Sequence, residues 1–184
     1  RKINGRDCTI VQFTKNSAFE DFFDENHISG HAQASIAFGL VYEDELVACL
    51  SLRRPFSNCY EDLVEIARFA TKINTHVHGA FGKLLREVKK YVLQQEGKVG
   101  ILTYADLCHG TGDVYSSNGF EYKGWTGLDY WYTDFKERFN RFDFKAQDGL
   151  SEAEIADIND VYRIYGCGSS RYKMILKNKE EVNK

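Results

Sequence analysis

The sequence predicts an α+β protein with a three-layer fold, and three observations lead there. Strand-like and helix-like segments follow as strand, helix, a run of antiparallel strands, helix, strand, helix and strands, an order that packs helices on a sheet. One long helix stands out, with Phe81, Leu84, Leu85, Val88 and Val92 at i, i+3, i+4 and i+7 spacings. The length of 184 residues, with 43% hydrophobic and 28% charged side chains, suits one soluble domain with ample core.

The elements are expected in this order. Cys8 to Phe13 is β-rich and reads as a strand. Ser17 to Glu25 carries Phe19, Phe22 and Phe23 at helical spacing behind a serine, so it reads as a short amphipathic helix. A polar loop, Asn26 to His31, follows. Ser35–Tyr42 and Leu46–Leu52 are apolar strands joined by Glu43-Asp44-Glu45, which suits an antiparallel hairpin closed by Pro55. Leu63 to Thr71 is the next strand, Gly79 to Glu96 the long helix, and Gly97 its stop. Val99 to Tyr104 reads as a buried strand and Thr111 to Ser117 as a short helix. Glu121 to Thr133 holds two aromatic strands around Gly124 and Gly127. Beyond lie a polar stretch from Lys136 to Gly149, a helix capped by Ser151, and a strand-like run from Val161 to Tyr165. Residues 1–134 are expected to form one domain, and 135–184 an appendage packed on it.

Composition narrows the function. No apolar run approaches the roughly 20 residues of a membrane helix, and no signal peptide opens the chain. The chain begins at Arg1 without methionine, as expected of a trimmed chain or a piece of a longer protein. Five cysteines without paired C-x-x-C spacing suggest free thiols in a reducing compartment, the cytoplasm. There is no H-E-x-x-H, Walker loop, G-x-S-x-G elbow or zinc pattern, so no metal is expected. The formal net charge of −3 argues against a protein coated in positive charge for nucleic acid. The tail differs slightly: Phe135 to Lys184 carries 10 Lys/Arg against 9 Asp/Glu, interleaved with aromatics.

Two segments carry candidate chemistry. In His76-Val77-His78-Gly79-Ala80-Phe81-Gly82-Lys83, glycines stand at the mouth of the long helix, where unpaired N–H groups and the helix dipole suit a pyrophosphate. A plain glycine-bearing helix start is the alternative. In Gly100 to Phe120 a buried strand feeds a glycine loop carrying Asp106 and His109, then a short helix with Tyr115. Asp106 could orient or deprotonate an amine, or cap its own loop; His109 is a neutral-pH base type. Tyr115 is either core packing or a phenol that donates a proton.

The order Tyr104-Ala105-Asp106, His109-Gly110-Thr111-Gly112, Tyr115, then Gly119-Phe120 resembles the GNAT superfamily of acyl-coenzyme A transferases. Within it, the order looks most like the phage Mom-type branch that modifies DNA bases. The resemblance implies a GNAT-like fold with a mixed, splayed central sheet over about Cys8 to Thr133. It implies acetyl-CoA or another acyl-CoA as acyl donor, and an amine of DNA or a nucleobase as acceptor, in a bacterial host's cytoplasm. By that likeness His78, Gly79, Ala80, Gly82 and Lys83 cradle the pyrophosphate. Gly79 fits the family's Gln/Arg-x-x-Gly-x-Gly/Ala pattern, whereas His76 and Phe81 depart from it. Amides of Ile66, Ala67, Arg68 and Phe69 polarise the thioester, Asp106, His109 or His27 handles the amine, and Tyr115 protonates the leaving thiolate. Ser29, in a His-x-Ser-Gly-like segment, with Tyr104, Trp125 and Tyr130, lies toward the substrate. Glu65 and Arg68 match a Glu/Leu-x-x-Arg element, with an internal ion pair as the plain alternative. Two other readings stay open. One is a non-catalytic DNA-docking module such as those fused to phage homing-endonuclease-like proteins. The other is a small-molecule or protein N-acetyltransferase.

Overall fold

Short apolar runs separated by turn residues become strands, and two periodic segments become helices that cover the sheet. The computed structural model describes residues 1–14 and 17–177. In chain order these are β1 (Lys2–Asn4), β2 (Thr9–Phe13), α1 (Ser17–Asn26), β3 (Ile36–Tyr42), β4 (Glu45–Arg53), β5 (Leu63–Thr71) and β6 (His76–His78). There follow α2 (Ala80–Gln94), β7 (Gly100–Asp106), α3 (Asp113–Ser116), β8 (Glu121–Trp125), β9 (Tyr130–Thr133), β10 (Arg138–Phe139), α4 (Glu152–Ile158), β11 (Tyr162–Tyr165) and β12 (Ser169–Ile175).

Seven strands form one mixed sheet in the order β2-β3-β4-β5-β7-β12-β8. The β3–β4 hairpin turns on Glu43 and Asp44, both at positive φ (50° and 63°), the twist that a two-residue hairpin requires. Strand alternation makes the layers. Ala37 packs with Phe19, Phe22 and Phe23 of α1, while its neighbour Phe38 stacks edge-on against Tyr91 of α2, 6.1 Å away. The two helices therefore cover opposite faces of the sheet. On α2 the predicted face, Phe81, Leu84, Leu85, Val88 and Val92, is buried, each side chain worth roughly 1.5–3 kcal/mol.

Chain contacts define two compact units. Unit 1 comprises Arg1–Tyr104, Val114–Tyr122 and the described residues from Tyr172 onward; unit 2 comprises Ala105–Asp113 and Lys123–Arg171. Unit 2 contains a three-stranded sheet, β10-β9-β11, over a small core of Tyr132, Phe144, Ile155, Ala156 and Val161. Its α4 begins with a full capping box between Ser151 and Glu154, the serine that the sequence marked.

Three expectations need correcting. His76–His78, read as part of a loop, pairs in parallel with Lys2–Asn4, a segment left unassigned. Three-residue strands with distant partners carry no periodicity to read. The two aromatic strands, β8 and β9, are present as expected, one in each of two sheets. The tail is not only an appendage, because Ser169–Ile175 enters the large sheet between β7 and β8. The units accordingly do not divide at 134/135. Among the described residues no helix is long and apolar enough to cross a membrane.

Candidate active site

The site in unit 1 starts from an interrupted strand pairing. β5 pairs β4 as far as Ala48↔Thr71, with a register shift between Ser51 and Leu52. Its parallel pairing with β7 runs only over Leu63↔Gly100, Val64↔Ile101 and Glu65↔Leu102. Among the described residues the β7-facing edge of β5 therefore has no strand partner from Ile66 to Phe69. Arg68 Nη1 donates to the Ala67 carbonyl at 2.9 Å, and the remaining edge groups are left for another occupant. A bulge strengthens local twist, and the shift in β4 falls where the two strands part.

α2 begins just beyond the far end of this edge. Gly79 caps it at φ 73° and no side chain bonds the first turn. A Cβ at Gly79 would meet nothing within 4 Å, so the glycine is there for its backbone angle, not for space. The N–H groups of the first turn of this 15-residue helix are left without helical partners. Ala80 and Phe81 are buried, and Gly82 lies close to Asn118, whose Oδ1 is 3.3 Å from where a Cβ would stand. Phe81, the departure from the family pattern, points into the core. Its ring meets Phe69 at 5.1 Å and Tyr115 at 5.5 Å, both edge-on. It therefore does not fill the mouth of the helix it sits on.

Lys83 behaves differently from the expectation. Its ammonium donates to the carbonyls of Gly5 (2.9 Å) and Cys8 (2.6 Å), which ties down the N-terminal segment. His76 and His78 are exposed on β6 with ring centroids 6.3 Å apart. They line a shallow cleft with Lys2, Ile3 and Asn4.

Tyr115 is half-buried in a cage of rings: Phe81, Phe120 at 5.8 Å and Tyr172 at 5.4 Å. Gly119, at φ 87°, lets the chain turn so that the Phe120 N–H donates to the Tyr115 carbonyl. Burial pushes the Tyr115 phenol pKa up. The Thr103 hydroxyl offsets part of this, approaching the phenol without completing a hydrogen bond of normal geometry. A phenol held neutral at physiological pH is a proton donor.

The loop after α1 closes on β5. His27 Nδ1 accepts the Ser29 N–H at 3.1 Å, which assigns the ring proton to Nε2. Arg68 Nε donates to the Gly30 carbonyl at 3.1 Å. Burial first, then the charge of Arg53, push the Arg68 pKa down. Glu65 is paired not with Arg68 but with Arg53, whose Nε and Nη2 both reach Oε1. This buried pair was missed as such; the opposed strand register, Arg53↔Glu65, was its only signal. Tyr104 packs against Leu63, Val99 and Leu102.

Asp106, His109, Trp125 and Tyr130 belong to unit 2. Asp106 Oδ1 accepts the Cys108 N–H at 2.9 Å, the self-capping alternative that the sequence allowed. His109 Nε2 stands 3.9 Å from Asp106 Oδ2, close enough for attraction and too far for a hydrogen bond. Trp125 Nε1 donates to the Cys167 carbonyl, and the Tyr130 hydroxyl to Glu152. Rings of this unit, half-buried at Trp131 and Tyr130 and exposed at Phe142, carry cations: Arg138 over Trp131 at 4.6 Å, Arg141 over Tyr130 at 4.8 Å, Lys145 over Phe142 at 4.8 Å. No group of three metal-ligating side chains occurs among the described residues.

No family model matches the sequence, and no curated protein does. Solved structures do match in fold. An IAA acetyltransferase from Bacillus cereus superposes with a TM-score of 0.55 at 14% identity, over 92% of this chain and 99% of that one. The ribosomal-protein-S18-alanine N-acetyltransferase from Escherichia coli gives 0.54 at 10% identity, over 93% and 97%. A GNAT family acetyltransferase from Elizabethkingia anophelis with acetyl-CoA bound gives 0.52 at 14% identity, over 92% and 99%. The fold is therefore the one these acetyltransferases share, as the sequence led us to expect.

Proposed function

We propose that the chain is an acyl-CoA-dependent N-acyltransferase whose donor site lies along the open edge of β5. One observation carries this reading: the free edge at Ile66–Phe69, the uncapped start of α2 at Gly79 and the caged Tyr115 phenol all lie in unit 1. The residues present fit such a donor. The first turn of α2 offers N–H groups and a positive dipole end to a pyrophosphate, and Phe81 leaves the outer face of that turn open. When bound, the donor would supply an activated thioester. Amides of the β5 edge would polarise its carbonyl, and holding both reactants in place would supply much of the rate. Tyr115 would donate its proton to the departing sulfur, and Tyr172 and Phe120 keep the ring still while it does so. His27, in unit 1, is a candidate for taking the amine's proton; Asp106, in unit 2, is a candidate by the sequence resemblance alone.

A thermal-shift titration with acetyl-CoA tests the reading. At 100 times Kd a ligand stabilises the fold by about 2.7 kcal/mol. No shift at millimolar acetyl-CoA or longer acyl-CoAs would remove the donor, and the non-catalytic docking module would take over.

The acceptor is a second question. A nucleobase or DNA amine, as in Mom-type proteins, is favoured by the Tyr104-Ala105-Asp106 and His109–Gly112 match and by the cation-bearing rings of unit 2. The net charge of −3 favours instead a small-molecule or protein amine. Transfer of label from acyl-CoA to DNA, against transfer to free amines, separates them. All five cysteines are free thiols, which supports a reducing cytoplasm.

A further inference from the structure

Beside the end of β4 lies a cleft of about 480 Å³, lined among others by Gln33, Ser35, Arg53, Arg54, Phe56 and Asn58. Two of its lining residues are arginines and none is Asp or Glu. Arg53 lies over the Phe56 ring at 4.1 Å and spends Nε and Nη2 on Glu65, so its Nη1 edge remains a donor. Arg54 is exposed and pairs with no acidic side chain among the described residues. Arg68 adds its charge from β5, again with no carboxylate partner among the described residues. Arg53 and Arg68 thus flank one carboxylate, Glu65. Arg54, which also borders a second cleft with Glu61, Asp62 and Glu96, adds a third guanidinium on the acid-free side, where the lining favours an anion.

The place matters as much as the charge. Arg53 stands opposite Glu65 in register, one residue before Ile66, where the β5 edge opens. A pyrophosphate at Gly79 puts the anchored end of the donor beyond Phe69. An arm laid back along Phe69 to Ile66 covers roughly 10 Å, three steps at about 3.3 Å per residue. The thioester then reaches the Glu65 end, beside the cleft.

We propose that this cleft is the acceptor site and that it selects an amine carrying an anionic group, a carboxylate or a phosphate, held by Arg54 and the free edge of Arg53. Phe56, exposed for 79% of its surface, forms an apolar wall for the body of that acceptor. This rests on the acyltransferase reading and names its substrate class.

The test measures binding of three amines of similar size, β-alanine, phosphoethanolamine and ethanolamine, to the full chain at fixed ionic strength with coenzyme A present. The expected result is that one or both anionic amines bind at least tenfold more tightly than ethanolamine. The stronger of the two tells carboxylate from phosphate. Arg54→Gln, on an exposed side chain, should erase the preference while the chain stays folded and coenzyme A affinity is unchanged. Charge-assisted hydrogen bonds are strong enough for a change of that size. Arg53→Gln with Glu65→Gln removes the buried pair together and should weaken anion binding further. Equal binding of all three amines, no binding of either anion, or a preference that survives Arg54→Gln would overturn the proposal. Loss of coenzyme A binding by the unaltered chain would instead strike the acyltransferase reading.

Discussion

Two aromatic clusters in this chain are built on opposite principles. In unit 1 ring meets ring: Phe69, Phe81, Tyr115, Phe120 and Tyr172 pack edge-on or tilted at 5.1 to 5.8 Å. In unit 2 ring meets cation, with arginine or lysine over Trp131, Tyr130 and Phe142 at 4.6 to 4.8 Å. The first arrangement removes a phenol from water and holds it still, raising its pKa. The second leaves the charges, and part of each ring, in solvent, where they can meet a partner but fix no reacting atom. Volume should therefore govern the first cluster, and salt the second.

The largest effect should come from volume. Phe81 is 5% exposed, whereas Phe142 is 58% exposed. Phe81→Ala should cost about 3–5 kcal/mol, the usual range for an emptied phenylalanine site. Phe142→Ala should stay within about 0.5 kcal/mol, as surface changes do. Urea unfolding of both variants checks this, and equal losses would dissolve the contrast between the clusters.

The next effect is on rate. Tyr115→Phe keeps the ring contacts and deletes only the proton donor, so stability should change little. If Tyr115 is the proton donor we propose, turnover should fall by about 10²–10⁴-fold, in kcat rather than in KM for the acyl donor, because the proton would be needed only as the thiolate leaves. Tyr130→Phe, which removes a hydroxyl bound to Glu152 in unit 2, should leave kcat within about threefold while costing about 1 kcal/mol of stability. Full activity in Tyr115→Phe would remove its catalytic role.

How much of this could be read beforehand follows the same division. The long helix, the hairpin and the Ser151 cap were legible because period, turn residues and capping chemistry are local. Tyr115 stood out through its neighbours Gly119-Phe120. What escaped was non-local: β12 threading between β7 and β8, three-residue β1 finding β6, and Arg53 opposite Glu65. None of these leaves a pattern within a window of the chain. Lys83 is a subtler case: it stands at a helix start that suits an anion, while its ammonium is held by two carbonyls, a long-range contact no local pattern shows. Phe81 shows the reverse. It broke a motif at a glycine-rich turn, yet the residue that looked obstructive is buried and orders the phenol.

Salt gives a smaller and more specific signal. If unit 2 meets DNA, Arg138, Arg141 and Lys145 are the cations best placed to reach phosphates. Arg163 is already engaged by the Tyr132 hydroxyl, and Arg171 by the Lys123 carbonyl. Retardation of duplex DNA should weaken with salt, with a log–log slope near −0.9 per phosphate neutralised, and Arg138→Gln should lower that slope by about one such step. Retardation that ignores salt, or none at low salt, would take nucleic acid out of the partner list.

The smallest effect separates the units by the sign of their pH dependence. In unit 1, His31 Nδ1 lies 2.9 Å from Asp24, and the hydrogen bond to that carboxylate raises the His31 pKa above 6.5. A raised folded-state pKa contributes stability fully below the unfolded value and loses it as pH rises through the folded one. The Asp24 pKa is lowered from 3.8 by the His31 backbone N–H and ring, so the pair is charged throughout mildly acidic conditions. In unit 2, Tyr130 first and then Tyr132 lower the Glu152 pKa from 4.5, with help from Arg141 and Arg163. That stability is present above 4.5 and is lost as pH falls through the folded value. Urea midpoints between pH 4 and 9 should therefore move in opposite senses. The gap between the unaltered chain and His31→Gln should close as pH rises past 6.5, whereas the gap to Glu152→Gln should narrow only on the acidic side. His31 is about half exposed and Glu152 more covered but still in reach of water, so screening should keep each gap small. Two gaps that close in the same direction would mean that the tie between Asp24 and His31, or the one around Glu152, does not persist in solution.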